Sequence, residues 1–241
     1  MIPRSDEFRE AFREREKQEL YDALHSTYTD LIGRKCESIE LPSDNISPTE
    51  HAKFCCILCQ HALLHRSIYL FDASAQSLIS NNNYATTLCV RGHIETTASM
   101  GHVYQRLSSL ISGNTSLDEF HDWVARQVLG SRDIQQAPEP IHVMDMIRRT
   151  DRLVNNRIFD GENRNLLEDC YARLCEFAHP NFHLYSLALR VDRENGLMLI
   201  RYDEQTVREE EFDLIGYLDI SNRIFVDIFD RFAACVERIG A

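Results

Sequence analysis

Residues 84–111 read YATTLCVRGHIETTASMGHVYQRLSSLI. The stretch predicts one long helix. Between Ala73 and Leu117 the only charged residues are Arg91, Glu95 and Arg106. A helix at a protein surface carries charge on its outer face, so one this poor in charge is surrounded by protein. Arg91 and Glu95 stand four residues apart and therefore share a face. Charged groups in apolar surroundings have to be paired or hydrogen-bonded. The pair is expected to be substantially buried, either as an internal ion pair or as a polar site built into a helical core.

Working outward from this helix, the apolar period stays close to that of a helix. Upstream, a helix is predicted from about Thr49 to Phe71, carrying Phe54, Leu58, Leu64 and Ile68. His61 and His65 share one of its faces, which by itself is a weak metal signal. A first helix is predicted from Arg4 to about Ile32, with EREKQE as a solvated stretch inside it, and Gly33 and LPSDNISP as its break. Downstream, Ser116 and Glu119 have the spacing of a capping box for a helix ending at Gly130. Further helices are predicted over 142–154 and over 162–178. The second stops because Pro180 disfavours helical geometry at His179.

One β signal follows. Leu187, Leu189 and Val191 alternate with polar or small residues, Asn195-Gly196 reads as a two-residue hairpin turn, and MLIRYD supplies the return strand. A final helix from near Glu209 carries Phe212, Ile215, Leu218, Phe225, Phe229, Phe232 and Val236 as a core stripe. The expected fold is mainly α, a helical bundle with one short β-hairpin near residues 186–203. It forms a single domain over 1–241, with an N-terminal helical extension at 1–40 and a core over about 50–240.

Composition narrows the class. The 241 residues are 44% hydrophobic and 27% charged, ordinary values for a chain that builds a core. The formal charge of −12 repels nucleic acid and anionic membranes at long range, although a local basic cleft is compatible with it. The charged N-terminus is unlike a secretory signal, and no segment reads as ~20 unbroken apolar residues. The expectation is a cytoplasmic protein with no membrane partner. Eight cysteines include the run Cys55, Cys56 and Cys59, but a zinc site needs a second set of ligands at matching spacing and none is present. They read as small buried hydrophobes, and no metal or cofactor is expected.

The densest chemistry lies in RLCEFAHPN, residues 173–181. Arg173, Glu176 and His179 are three residues apart, so successive members are offset by about 60° and form a slanted row on one side of a helix. His179 sits where the helix ends, and both the helix dipole and a nearby Glu176 favour its protonated form. In one reading Arg173 holds an anionic phosphate and His179 transfers a proton. In the other, Glu176 pairs with Arg173 and His179 caps the helix.

RLCEFAHP resembles the Arg-x(4–6)-His pattern of the HEPN superfamily, helical bundles that include metal-independent ribonucleases. The Arg91-GHI-Glu95 segment is similar to the polar helix of bacterial HEPN-like proteins, and the resemblance extends over about Asn81 to Asp203. Leu174 departs from the pattern, since ribonuclease members commonly place a polar residue after the arginine. The resemblance implies that Arg173 would stabilise the scissile phosphate and His179 would act as acid or base, with Glu176 beside them. Arg91, Glu95 and Asn181 would support the site. It also implies a homodimer with RNA as substrate, in bacterial stress or phage defence. Many members are non-catalytic, so a helical dimer that binds a protein partner or serves as a scaffold is the alternative, and the acidic charge suits it.

Other enzyme classes lack their parts. A di-metal carboxylate bundle needs two Glu-x-x-His motifs, and only Glu176-x-x-His179 is present, with Asp118-x-x-His121 an imitation. The chain has no G-x-S-x-G elbow, P-loop or G-x-G-x-x-G turn.

Overall fold

The computed structural model describes residues 5–42, 45–129, 139, 141–158, 165–179, 189–200 and 212–240. Eight α-helices and one antiparallel hairpin lie among them. The helices are α1 (Asp6–Arg13), α2 (Gln18–Ile32), α3 (Pro48–Ile79), α4 (Asn83–Ile111), α5 (Leu117–Leu129), α6 (Val143–Ile158), α7 (Leu166–Ala178) and α8 (Gly216–Val236). The hairpin strands are β1 (Leu189–Asp192) and β2 (Leu197–Ile200). The mainly α fold with one short hairpin is as the residue pattern predicts.

Helix α4 is the central element and touches α3, α5, α6, α7 and α8. Its apolar residues Val90, Ile94, Ala98, Met100, Val103 and Leu107 are buried, and so are Thr86, Thr87, His93, Thr96, Thr97 and His102. Buried polar groups call for partners, and Thr86, Thr96 and Thr97 find theirs in two ways. Thr86 and Thr96 donate back to the carbonyls four residues earlier, at 3.0 and 2.8 Å. Thr97 reaches the Ser221 carbonyl on α8 at 3.2 Å. Gly101 lets α6 approach closely, because a Cβ there would fall 2.3 Å from Thr150 Oγ1. That hydroxyl in turn donates to the Ala98 carbonyl of α4 at 3.1 Å.

The predicted single helix from Arg4 to Ile32 is two helices, broken at residues 14–17, with Glu16 at φ +56°. The reason lies in the core. Phe12 and Tyr21 are nine residues apart, which would put them on opposite faces of a straight helix. The break brings their rings to 5.9 Å, and Phe12 also meets Phe212 edge-on at 4.8 Å. Phe8, Phe12, Leu24, Tyr28 and Leu31 are thereby buried in the same core as the rest of the bundle.

Helix α3 runs eight residues beyond the predicted Phe71. Its start is a capping box: Ser47 Oγ accepts from Glu50 N, and the Glu50 carboxylate accepts from Ser47 N at 2.8 Å. By length and composition α3 is apolar enough to cross a membrane, which corrects the reading that no segment approaches that test. Here Leu64, Ile68, Phe71, Ala75 and Leu78 pack into the bundle core. Arg34 near the end of α2 forks onto Asp230 of α8 at 2.7 and 2.6 Å, closing the bundle on that side.

The hairpin differs in its turn. Leu189 pairs with Ile200 and Asp192 with Leu197, which leaves four residues, Arg193 to Gly196, in the loop. The Asp192 carboxylate accepts from the amides of Glu194 and Asn195, both at 3.1 Å, and Gly196 takes the positive φ of +65°. This side-chain closure of the loop replaces the expected two-residue turn. The outer parts of the predicted 186–203 hairpin lie outside the described residues.

Candidate functional site

Helix α7 carries the predicted row. Its inner face, Leu167, Cys170, Tyr171, Leu174 and Phe177, is buried. Its first turn is held by Asp151 of α6, whose two carboxylate oxygens accept from Leu167 N at 2.8 Å and Glu168 N at 2.9 Å. At the other end His179 leaves the helix with φ −87° and ψ 151°, the extended geometry that a following proline imposes. Its amide still closes on the Cys175 carbonyl at 3.0 Å.

Arg173, Glu176 and His179 are all exposed, on the outer side and at the end of α7. The Arg173 guanidinium lies 5.0 Å from the centre of the Phe177 ring, one turn towards the C-terminus. A cation over an aromatic face is attracted by the ring quadrupole, so this contact draws the charge towards the His179 end. Burial raises the phenol pKa of Tyr217 on α8, and the charge of Arg173 opposes that rise. Asn181 lies outside the described residues.

Arg91 and Glu95 form a different group. Arg91 Nη2 donates to Tyr171 Oη at 2.8 Å, and Tyr171 Oη donates to Glu95 Oε1 at 3.0 Å. Arg91 Nε lies 3.3 Å from the same carboxylate oxygen. The guanidinium also sits 4.9 Å from the Tyr171 ring centre. Burial first, and then the Glu95 charge, raise the Tyr171 phenol to about 12, so it stays a donor at neutral pH. The pair is half-buried rather than substantially buried, with 26% and 28% of the side chains exposed. Tyr171 and Arg173 are two residues apart, about 200° around the helix. Arg91 and Glu95 therefore reach α7 on the face turned away from Arg173.

Two residues that pattern reading passed over hold this region together. One is Tyr171. The other is His93, fully buried with Nε2 2.6 Å from Ser67 Oγ and Nδ1 2.9 Å from Ser221 Oγ. Burial pushes its imidazole down to about 3, so it is neutral and joins α3, α4 and α8 as a hydrogen-bonding strut. The only sequence signal for it was a histidine on a charge-poor helix.

The other histidines and cysteines form small groups: Cys36 Sγ lies 3.4 Å from His61 Nδ1, and His51 meets Cys55 Sγ, 3.8 Å from its Nε2, and the His121 ring, at 5.4 Å between centres. His61 stands edge-on to Phe229 at 5.8 Å, whereas His65 stacks on Tyr69 at 4.4 Å. Burial pushes the Cys56 and Cys59 thiols up to about 12 and 11, so neither is a thiolate ligand at neutral pH. Among the described residues no three His, Cys, Asp or Glu side chains converge on a metal position. No family model, curated protein or solved structure matches the chain.

Proposed function

We propose that this chain is a HEPN-like helical protein that cleaves RNA without a metal, using Arg173 and His179, in the cytoplasm. The carrying observation is the open end of α7. Arg173, Glu176 and His179 are all exposed along the last two turns and at the end of α7, and the Arg173 guanidinium lies 5.0 Å from the centre of the Phe177 ring. In this reading His179 takes the proton of an RNA 2′-hydroxyl as it attacks the adjacent phosphorus. The P–O5′ bond breaks to leave a 2′,3′-cyclic phosphate, and the imidazolium returns its proton to the departing 5′-oxygen. Arg173 stabilises the charge on the phosphoryl oxygens, and Glu176 favours the imidazolium. A homodimer that brings two such rows together would supply the local positive charge that an overall charge of −12 lacks. Bacterial stress or phage defence is the setting the family resemblance implies.

The test is incubation with single-stranded RNA in EDTA, beside His179→Ala and Arg173→Ala. Cleavage that survives EDTA, weakens with added salt and is lost in both folded variants is the expected result. Equal inertness of wild type and folded variants removes the catalytic reading.

A second reading, a non-catalytic dimer that binds a protein, has its own observation. Val191, Leu197, Met198, Leu199 and Ile200 of the hairpin are all exposed, and adjacent apolar exposures of this kind mark interaction surfaces. If this reading holds, Leu199→Glu abolishes self-association or partner capture in light scattering, and RNA stays intact.

A further inference from the structure

The connection that follows α2 lays Cys36 against the middle of α3, with its Sγ 3.4 Å from His61 Nδ1. Both partners are held in place. Arg34, two residues before the cysteine, is clamped to Asp230 of α8. The His61 ring stands edge-on to Phe229 of the same helix. Cys36 is the only exposed cysteine of the eight, so the reading of them all as buried hydrophobes fails here. Beside the pair lies a hollow of about 370 Å³. That is within the range of sites that take small organic molecules, roughly 300–1,000 Å³. On α3 its wall is formed by His61, Leu64, His65 and Ile68, whose spacing puts them on one face. Leu64 and Ile68 are buried and make an apolar floor. From His61 to Ile68 this face runs for about 10 Å.

A thiol beside an imidazole is the arrangement of an activated nucleophile. Burial lowers the His61 pKa, so its imidazole is neutral at pH 7 and Nδ1 can accept the thiol hydrogen. Cys55 also neighbours a histidine, but at 3.8 Å and with its thiol raised by burial. Cys56, Cys59 and Cys170 are enclosed. Nucleophilic chemistry is thus concentrated on one accessible sulfur. The surroundings decide what it meets. The floor is apolar, and Lys35 and Glu37 bring one charge of each sign to the rim, in a chain of net charge −12. Neither feature draws an anionic disulfide such as glutathione disulfide. An uncharged electrophile with a hydrocarbon tail suits both, because the tail leaves water for the floor. Conjugate addition needs nothing beyond the pair itself, since the proton that leaves sulfur is the one the product takes up at carbon.

We propose that Cys36 is a covalent capture site for α,β-unsaturated ketones that carry a medium-length alkyl chain, with His61 as its base. His61 Nδ1 takes the thiol proton, and an electron pair of the sulfur forms a bond to the β-carbon. The carbon–carbon π pair shifts to give the enolate, and the imidazolium returns the proton to the α-carbon. The thioether product keeps every atom of both reactants. The alkyl chain on the β-carbon lies along Leu64 and Ile68. The site is separate from the α7 row and does not rest on the RNA reading.

Intact-mass spectrometry with peptide mapping tests this on the full chain, using 3-nonen-2-one and 3-penten-2-one in slight excess. The expected product is one adduct per chain, on Cys36, and Cys36→Ser abolishes it. At pH 7 the longer enone adds about tenfold faster than it does to N-acetylcysteine, whose free thiol is only a few per cent thiolate at that pH. Relative to N-acetylcysteine it also outpaces 3-penten-2-one by about tenfold, the effect of roughly two buried methylene groups. His61→Gln brings the rate down to that of N-acetylcysteine. Helical circular dichroism and the preference for the longer chain are retained in that variant, so the loss is of the base and not of the hollow. Adducts spread over several cysteines or on lysine overturn the proposal. So does a wild-type rate equal to that of N-acetylcysteine, an absent preference for the longer chain, or an unchanged rate in His61→Gln. Mixed-disulfide formation at Cys36 with glutathione disulfide that is faster than enone addition overturns it as well.

Discussion

Tyr171 donates its phenolic hydrogen to Glu95 Oε1 at 3.0 Å across the α4–α7 seam, while the same oxygen accepts from Arg91. One hydroxyl thus joins an acid and a base that stand one turn apart on the neighbouring helix. Tyr171→Phe removes that junction and leaves two half-buried charges with fewer partners. The expected loss is about 1–2 kcal/mol, the usual cost of deleting one partner of a buried hydrogen bond. Urea unfolding measures it, with Glu40→Ala on the exposed connection before α3 as a control that stays within about 0.5 kcal/mol. Equal effects of the two changes would show that the junction contributes nothing.

Stability should fall in mild acid. Burial holds the His93 imidazole down at about 3, and burial followed by the charges of Arg149 and Arg106 holds His102 down at about 4. An unfolded histidine titrates near ~6.5, so both residues gain protons on unfolding below that pH. Their contribution is complete above about pH 6.5 and is lost as the pH falls towards 4 and then 3, by about 1.4 kcal/mol per pH unit for each proton. Urea midpoints at pH 7, 6 and 5 should drop in sequence. His93→Gln should be less stable at pH 7 and show a shallower dependence, and an unchanged slope would refute the assignment.

Gly101→Ala should be strongly destabilising, because its new methyl group would collide with Thr150, whose Cγ2 and Cβ lie at 2.6 and 2.9 Å from the added Cβ. Overpacking of this kind typically costs about 1–3 kcal/mol. In a Thr150→Ala background the same change should cost less, since the two closest atoms, Oγ1 and Cγ2, are gone and only the Cβ contact at 2.9 Å remains. A double-mutant cycle by thermal unfolding reads that coupling, and strict additivity would contradict the packing described for α4 and α6.

Asp151→Ala should loosen the helix that carries the candidate row. The carboxylate serves both Leu167 N and Glu168 N, and loss of a helix cap costs about 1 kcal/mol, more when the amides are buried. Amide hydrogen exchange should accelerate first in the opening turn of α7, well before α4. Uniform acceleration throughout the bundle would mean that Asp151 acts on global stability alone.

Much of the fold follows from local sequence. The charge-poor stretch 84–111 became the central helix because a helix without a charged face has to be enclosed. Ser116 and Glu119 close their capping box at 2.9–3.2 Å, and Pro180 ends α7 at Ala178. Periodicity, caps and prolines act within a few residues, so their effects can be read without knowing what packs where. The row Arg173, Glu176 and His179 was visible for the same reason. Other features depended on helix rotation and crossing, which join residues far apart in the chain. Tertiary structure alone broke the first helix so that Phe12 and Tyr21 could both meet the core. It also turned Arg91 and Glu95 towards Tyr171 rather than Arg173, suspended His93 between Ser67 and Ser221, and set Cys36 against His61. A helical face is a local property, but the partner it meets is set by the whole bundle's burial of apolar surface and its pairing of every enclosed polar group.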